Sequence, residues 1–240
     1  MSIYTIGDLH LSFHENKPMS IFGKNWEDHE EKIRNNWIEN VKENDLVVLP
    51  GDFSWSTYLE DTYEDFKYLN SLPGKKVLLK GNHDYWWTTV TSMRNFLKEN
   101  DFRDIDFVYN SAYEFENIII AGTRGWSKAE EGDNQKLIKR EVSRLELSIQ
   151  QGIKIINSEE NSKNKKEIVV FMHYPPIIKE NIHKNETNEF IQILKKYDIK
   201  RCYYAHLHGA SINDAIEGQY FGIEFKLVSA DGLDFKLLKI

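Results

Sequence analysis

The sequence predicts an α/β fold with mixed β-sheets. Short runs rich in β-branched and aliphatic residues alternate with longer runs whose apolar residues recur at helical spacing. Most of the short runs stop abruptly at Asp, Asn or His, and layered α/β domains bind ligands beyond the carboxyl ends of their strands. The chain has 240 residues and is 40% hydrophobic, which is enough for one sizeable core. We therefore expect a single domain over residues 1–240.

Five predicted strands end in polar residues, and they span residues 3–6, 46–49, 76–79, 168–172 and 201–204. Since the carboxyl ends of parallel strands meet at one edge of a sheet, we expect the residues after them to lie at one rim. In chain order these residues are Asp8 and His10, Asp52, Asn82 with His83 and Asp84, His173, and His206 with His208.

Helices are predicted between the strands, over residues 26–43, 58–71, 88–99, 134–151 and 187–197. In the first helix, the apolar residues recur at the spacing of a core-facing stripe, and they are Ile33, Trp37, Ile38 and Val41. Two segments predict local antiparallel pairs instead: residues 108–109 with 116–121, and residues 225–228 with 235–240 around an Asp-Gly turn. The sheets should therefore contain both parallel and antiparallel strands.

Composition excludes several classes of protein. The formal net charge of −7 disfavours general nucleic-acid binding, because that affinity comes mainly from Lys and Arg neutralising phosphates. Cys202 is the only cysteine, so no intramolecular disulfide can form. The N-terminus lacks the features of a signal peptide, and no apolar run reaches 18 residues. We expect a soluble, cytoplasmic protein that binds no membrane.

The polar residues at the strand ends include seven oxygen and nitrogen donors suited to metal ions. One tetrahedral ion needs about four protein ligands, so seven suit two ions that share a carboxylate. Each residue alone has an ordinary explanation in a turn, a cap or a core. If the seven residues are gathered in one crevice, the loss of water around them is costly unless a cation offsets it. The seven are Asp8, His10, Asp52, which is the natural bridge, Asn82, His173, His206 and His208.

The segments "GDLH", "GDFS", "GNHD", "MHYPP" and "AHLHG", in this order, resemble the five blocks of the calcineurin-like metallophosphoesterase superfamily, in particular its bacterial predicted phosphohydrolases. The resemblance runs from Asp8 to His208. It implies a four-layer fold in which two mixed β-sheets pack as a sandwich flanked by α-helices, with two divalent metal ions, manganese, iron or zinc, at one edge. It also implies that Asp8, His10, Asp52 and His208 bind one ion, and that Asp52, Asn82, His173 and His206 bind the other.

The resemblance implies a reaction as well, with His83 as the catalytic histidine that protonates the leaving oxygen. Two cations about 3.5 to 4 Å apart neutralise phosphate oxygens and lower the pKa of a bridging water. We therefore expect a dinuclear phosphoesterase that uses a metal-bridging hydroxide on phosphodiester or phosphomonoester bonds of a small or nucleotide-like substrate. A nuclease acting on DNA or RNA with the same chemistry, or a non-catalytic metal-binding scaffold, are the alternatives. No protein partner is inferred.

The sequence departs from the family pattern after Asp52. The protein Ser/Thr phosphatase branch carries Asp-Arg-Gly there, and its Asp orients the catalytic histidine, whereas this chain continues Phe53-Ser54-Trp55. A protein phosphatase is therefore disfavoured. Asp84 is a candidate substitute partner for His83.

Residues that contact the substrate are harder to predict. Six aromatic residues lie close in sequence to the proposed ligands, and each could stack on a nucleobase or brace the metal loops as core. Arg124 could pair with a phosphate in forked geometry or form a surface salt bridge. The candidate substrate-binding residues are Arg124, Trp126, Trp86 and Tyr174, and the other aromatic residues near ligands are Trp55, Tyr85 and Trp87.

Overall fold

The computed structural model describes residues 1–15, 17–127, 134–158, 166–184 and 187–240. The chain forms two compact units: unit 1 comprises Met1–Phe107 and Val228–Ile240, and unit 2 comprises Val108–Leu227. Each unit contains one mixed sheet, so the predicted α/β class with two mixed sheets is confirmed. The single domain over residues 1–240 stays a prediction.

Unit 1 contains a five-stranded sheet in the order β11-β1-β2-β3-β4. Its strands are β1 (Ile3–Thr5), β2 (Leu46–Pro50), β3 (Lys75–Leu79), β4 (Ile105–Phe107) and β11 (Leu238–Lys239). Strands β1 to β4 are parallel, and β11 pairs antiparallel with β1. The carboxyl ends of β1, β2 and β3 therefore lie at the same edge, as predicted.

Three α-helices belong to unit 1: α1 (His29–Asn40), α2 (Tyr63–Asn70) and α3 (Val90–Glu99). Ile33 and Trp37 of α1 are fully buried, as their spacing predicted, but Ile38 is 51% exposed, so its predicted place in the stripe is wrong. Ile38 directly follows Trp37, and neighbouring residues in a helix point about 100° apart, so it lies off the buried face. The helix begins three residues later than predicted, because Asp28 adopts a left-handed conformation with φ +53°. Thr89 caps α3 by accepting a hydrogen bond from the Ser92 backbone N–H.

Unit 2 contains a six-stranded sheet in the order β5-β6-β7-β8-β10-β9. Its strands are β5 (Tyr113–Phe115), β6 (Ile118–Thr123), β7 (Glu167–Met172), β8 (Arg201–Tyr204), β9 (Gly218–Tyr220) and β10 (Ile223–Leu227). The four inner strands are parallel and the two edge strands antiparallel. The ends of β7 and β8 therefore present their loops at one edge.

The helices of unit 2 are α4 (Gln135–Ser158), α5 (Lys179–His183) and α6 (Glu189–Lys196). Ile138, Leu145 and Ile149 of α4 are buried in the apolar core of this unit. The sequence predicted α4 correctly in type but ended it at residue 151. No helix in the described ranges is both long and apolar enough to cross a membrane.

Both predicted local strand pairs need correction. Residues 108–109 are not a strand, and the hairpin instead joins β5 to β6 through a turn in which Glu116 has φ +56°. The pairing of residues 225–228 with 235–240 is wrong, because β10 pairs with β8 and β9 while β11 pairs with β1. Successive tight turns explain this: the N–H of Leu233 bonds the carbonyl of Ser229, and the N–H of Phe235 that of Ala230.

Candidate metal centre

In unit 1, the loops after β1 and β2 run side by side beyond the sheet. The backbone N–H of Asp8 donates to the carbonyl of Gly51, and that of His10 donates to the carbonyl of Asp52, each at 3.0 Å. These bonds continue the parallel pairing past the ends of the strands. They hold three of the predicted ligands on adjacent backbone segments.

The same three residues have unusual backbone conformations. Asp8, His10 and Asp52 have φ values of +58°, +47° and +52°, in the left-handed region. Such conformations cost about 1 to 2 kcal/mol for a residue with a side chain, and they concentrate at functional sites. The surrounding hydrogen bonds must therefore impose these left-handed conformations. Their cost is typical of residues whose side chains are held in position at a functional site.

The Asp52 carboxylate lies between two predicted functional histidines. Its Oδ2 lies 3.7 Å from Nε2 of His10, and its Oδ1 accepts a 2.8 Å hydrogen bond from the backbone N–H of His83. Ligand atoms of Asp8 and His10 lie within 4.8 Å of one another, and the side chains of Asp8 and Asp52 are buried. Carboxylate and imidazole donors thus converge at one edge of the first sheet.

Gly81 is required by the close approach of Asp52. A Cβ atom at this position would lie 2.0 Å from Oδ1 of Asp52 and 2.3 Å from its backbone nitrogen, and any side chain would collide. Asn82 and His83 follow on the same turn. The glycine therefore lets the loop after β3 pack directly on the carboxylate of a predicted ligand.

Asp84 joins the loops that follow β2 and β3 by hydrogen bonds. Its buried carboxylate accepts hydrogen bonds from four backbone N–H groups and one indole, at 2.7 to 3.3 Å. Burial raises the pKa of this carboxyl, and the donors oppose the rise. In the described part of the chain His83 is not among its partners, so Asp84 supports the Asp52 loop instead. The donors are the N–H groups of Gly81, Asp52, Phe53 and Ser54 and Nε1 of Trp86.

The burial of Trp86 favours the core interpretation over substrate binding. Its side chain is fully buried, and its ring packs edge-on against Phe53 and Phe66 at 5.9 and 5.4 Å. The indole N–H is directed at Asp84. Trp86 therefore holds the carboxylate that organises the loops and presents no face to a ligand.

Trp55 is a neighbour of the site that was not among the predicted substrate-binding residues. Its ring stacks on His10 with centroids 4.7 Å apart and lies 4.5 Å from the ring of His83. Its position three residues after Asp52 was the available signal. Sequence alone did not distinguish it from the core aromatic residues nearby.

In unit 2, two predicted ligands face each other. Nδ1 of His206, after β8, lies 3.2 Å from Nε2 of His173, after β7, and the backbone N–H of Ala205 bonds the carbonyl of His173 at 3.1 Å. His206 has φ +74°, a further left-handed conformation at a predicted ligand. His208 follows two residues later on the same loop.

The chemistry of these donors fits divalent transition metals. Unit 1 offers carboxylate oxygens, an imidazole and the amide of Asn82, and unit 2 offers three imidazoles. Mixed oxygen and imidazole ligands accept manganese, iron and zinc. The nitrogens of His173 and His206 converge at a distance that suits binding of a common cation.

Arg124 lies over two aromatic rings of unit 2. Its guanidinium carbon is 5.2 Å from the centroid of Trp126 and 5.9 Å from that of Tyr174, and the Tyr174 ring lies 4.1 Å from the ring of His206. Within the described ranges no carboxylate pairs with Arg124. The structure therefore brings three of the four predicted substrate-binding residues together, beside a predicted ligand.

Comparison with known proteins identifies the family. Residues 1–210 match the model of the calcineurin-like phosphoesterases, so the chain belongs to this family, which implies a metal-dependent phosphoester hydrolase. No curated protein matches the chain. The solved structures to which it is similar in fold include the following two. One is a protein of unknown function, AQ665 from Aquifex aeolicus (19% identity, 99% of this chain and 95% of that chain covered, TM-score 0.50). The other is TT1561 of Thermus thermophilus (12%, 100% and 99%, TM-score 0.55).

Proposed function

We propose that the chain is a dinuclear metal-dependent phosphoesterase that cleaves phosphodiester or phosphomonoester bonds in a small or nucleotide-like substrate. The observation that carries the proposal is the match to the family over residues 1–210, in which every predicted ligand is present. The arrangement of Asp52 with His10 supports it in unit 1, and the pair His173 and His206 supports it in unit 2.

The proposed ligands divide into two sets that share Asp52. When bound, two divalent ions of manganese, iron or zinc would neutralise the phosphate oxygens and lower the pKa of a water molecule. Asp52 is suited to the shared position because its two oxygens face different neighbours, the backbone of His83 and the ring of His10. One set is Asp8, His10, Asp52 and His208, and the other is Asp52, Asn82, His173 and His206.

His83 is the proposed catalytic residue. Its backbone N–H is anchored to the Asp52 carboxylate, and its ring lies against Trp55, so the imidazole is held beside the proposed ligands. From this position it would donate a proton to the leaving oxygen. Arg124 would bind a phosphate oxygen of the substrate, while Trp126 and Tyr174 would position its guanidinium.

Hydrolysis of bis-p-nitrophenyl phosphate and p-nitrophenyl phosphate tests the proposal. The protein is stripped with chelator, reloaded with Mn²⁺, and assayed with metal content measured on the same sample. We expect turnover only after reloading, and His83→Ala should lower kcat by about 10²- to 10⁴-fold with unchanged metal content. His183→Ala, which removes an exposed histidine at the end of α5, is the matched control.

Three outcomes would contradict the proposal. Bound metal without turnover of either ester would favour the non-catalytic scaffold. Full activity in His83→Ala would remove the proposed proton donor. Degradation of single-stranded DNA at a rate above that of the small esters would favour the nuclease.

A further inference from the structure

A cavity opens beside His83 within unit 1. Its volume is about 840 Å³, and its lining includes Lys17, Phe22, Trp55, His83 and Tyr85. Ligand pockets for organic molecules typically have volumes of about 300 to 1,000 Å³. A phosphoryl group alone would leave most of this space unfilled, so the cavity suits the organic part of a substrate.

Aromatic rings form much of the cavity wall, and two of them are exposed. Phe22 is 57% exposed and Tyr85 is 63% exposed, so both rings are accessible to a ligand. Phe22 lies nearly parallel to Trp55, with an interplanar angle of 9° and centroids 6.3 Å apart. The Tyr85 ring stands edge-on to His83 at 6.2 Å. Exposed rings in this arrangement favour contact with another planar ring.

Among the residues that the structure describes, the cavity lining carries one positive and one negative charge: Lys17 is partly buried, whereas Glu15 is exposed to solvent, which screens its carboxylate. Nζ of Lys17 lies 3.2 Å from the centroid of the Trp55 ring and 5.9 Å from that of Phe22. The aromatic faces hold the ammonium by cation–π attraction. In a chain with a net charge of −7, this placement offers a local attachment point for an anionic group.

The position of His83 relates the cavity to the reaction. Under the proposed function, on which this inference rests, His83 protonates the leaving oxygen, so the leaving group must lie on the side of His83 where the cavity opens. We propose that the cavity binds the leaving group of the substrate, and that this group is a planar aromatic ring with a negatively charged substituent. Phe22 and Tyr85 contact the ring, and Lys17 contacts the anion.

Three phosphonates separate these contributions, because they share one head group and their C–P bond is not hydrolysed. Methylphosphonate, phenylphosphonate and 4-carboxyphenylphosphonate are titrated into the Mn²⁺-loaded protein by calorimetry, at a pH where every phosphonate is a dianion. We expect phenylphosphonate to bind about tenfold more tightly than methylphosphonate, as for one ring stacked on an aromatic side chain. The carboxylate should strengthen binding by a further few-fold.

Variants assign each gain to its residue. Phe22→Ala and Tyr85→Ala should each reduce the advantage of the phenyl group, and Lys17→Met should remove only the gain from the carboxylate. Tyr58→Ala is the matched control, since Tyr58 is 67% exposed but does not line the cavity. Equal affinities for the three phosphonates would overturn the proposal, as would gains that survive all three cavity variants.

A failure of the proposed function would be recognised separately. In that case methylphosphonate would show no metal-dependent binding and neither nitrophenyl ester would be hydrolysed. The cavity is then tested with 4-hydroxybenzoate, which resembles the leaving group alone. Saturable binding that Lys17→Met weakens would support an aromatic-anion site, and absence of binding would overturn it.

Discussion

Asp84 connects the loops that follow β2 and β3 in unit 1. Its carboxylate gathers four backbone N–H groups, three of them on the loop that begins at Asp52. The sequence predicted Asp8, His10 and Asp52 as ligands because each follows a strand. It did not predict the partners of Asp84, because the donor at Phe53 is a backbone group 31 residues away that any sequence could supply.

Asp84→Ala should lower the free energy of unfolding by about 3 kcal/mol or more, because it leaves several buried N–H groups without an acceptor. Urea denaturation measures the loss. Asp214→Ala, at an exposed side chain whose backbone is not left-handed, should change stability by less than about 0.5 kcal/mol. Equal stability of the two variants would show that Asp84 does not hold the loops.

Gly81→Ala should displace the Asp52 carboxylate, since the new Cβ would lie 2.0 Å from Oδ1. We expect the affinity for Mn²⁺, measured by calorimetry, to fall by at least about tenfold, because the carboxylate of a proposed ligand would be out of position. Gly222→Ala is the matched control, because its Cβ meets open space while φ +79° still imposes backbone strain. The interpretation fails if both variants bind Mn²⁺ like the wild type.

At the scale of elements, α2 is joined to the loops after β1 and β2 by one buried carboxyl. Asp65 accepts hydrogen bonds from the hydroxyl of Ser54 and, at 3.1 Å, from the backbone N–H of Phe13. Burial raises the pKa of Asp65 to about 6, although these hydrogen bonds act in the opposite direction. The loop that carries Asp52 is thus braced by two buried carboxyls, Asp65 and Asp84.

The raised pKa of Asp65 predicts a pH dependence of stability. Its folded pKa lies above the unfolded value of 3.8, so the folded state binds the proton more tightly and loses stability as pH rises from about 4 to about 6. The free energy of unfolding of wild type, relative to Asp65→Asn, should fall by roughly 2 to 3 kcal/mol between about pH 4 and pH 7. Urea denaturation at both pH values measures this difference.

Glu64→Gln is the control for this prediction, because Glu64 is an exposed carboxylate on the same helix and forms a surface ion pair with Lys67. It should give almost no difference between the two pH values. A difference for Asp65→Asn that stays constant with pH would mean that the Asp65 carboxyl titrates normally.

The elements also show where sequence patterns lose information. The apolar stripe of α1 and the parallel strands β1, β2 and β3 follow from periodicity and were predicted. The partners of β10 and β11 depend on the turns between them, and the Asp231-Gly232 step fits both a hairpin and the observed succession of tight turns. Strands β10 and β11 pair with strands that are distant in sequence, and a local sequence pattern does not predict such partners.

At the scale of the whole molecule, the chain belongs to the calcineurin-like phosphoesterases, and the matched residues 1–210 include all the predicted ligands. The order of the five sequence blocks was sufficient to predict this family, because each block follows a strand. The cavity beside His83 was not predictable in the same way. Phe22 ends a 3-10 helix (Met19–Phe22) and Lys17 precedes this helix, in a segment with no motif. The folded path of the segment places both side chains against Trp55.

Asp52→Asn should weaken both proposed metal sites, since it removes the shared negative charge. Loss of a residue that only supports a metal ligand typically lowers metal affinity by about 10- to 100-fold. Because Asp52 is a proposed ligand itself, we expect a larger decrease in Mn²⁺ affinity at both sites. Calorimetric titration of the stripped variant measures this. Asp101→Asn, an exposed carboxylate, should bind like the wild type. Loss of only one site would contradict the sharing of Asp52.

The metal content of the wild-type protein tests the central claim most directly. The stripped chain is reloaded with Mn²⁺, freed of excess ion, and analysed by elemental mass spectrometry against protein concentration. The account predicts two ions per chain. A stoichiometry of one would refute the dinuclear centre, and a stoichiometry of zero would refute the metal site itself.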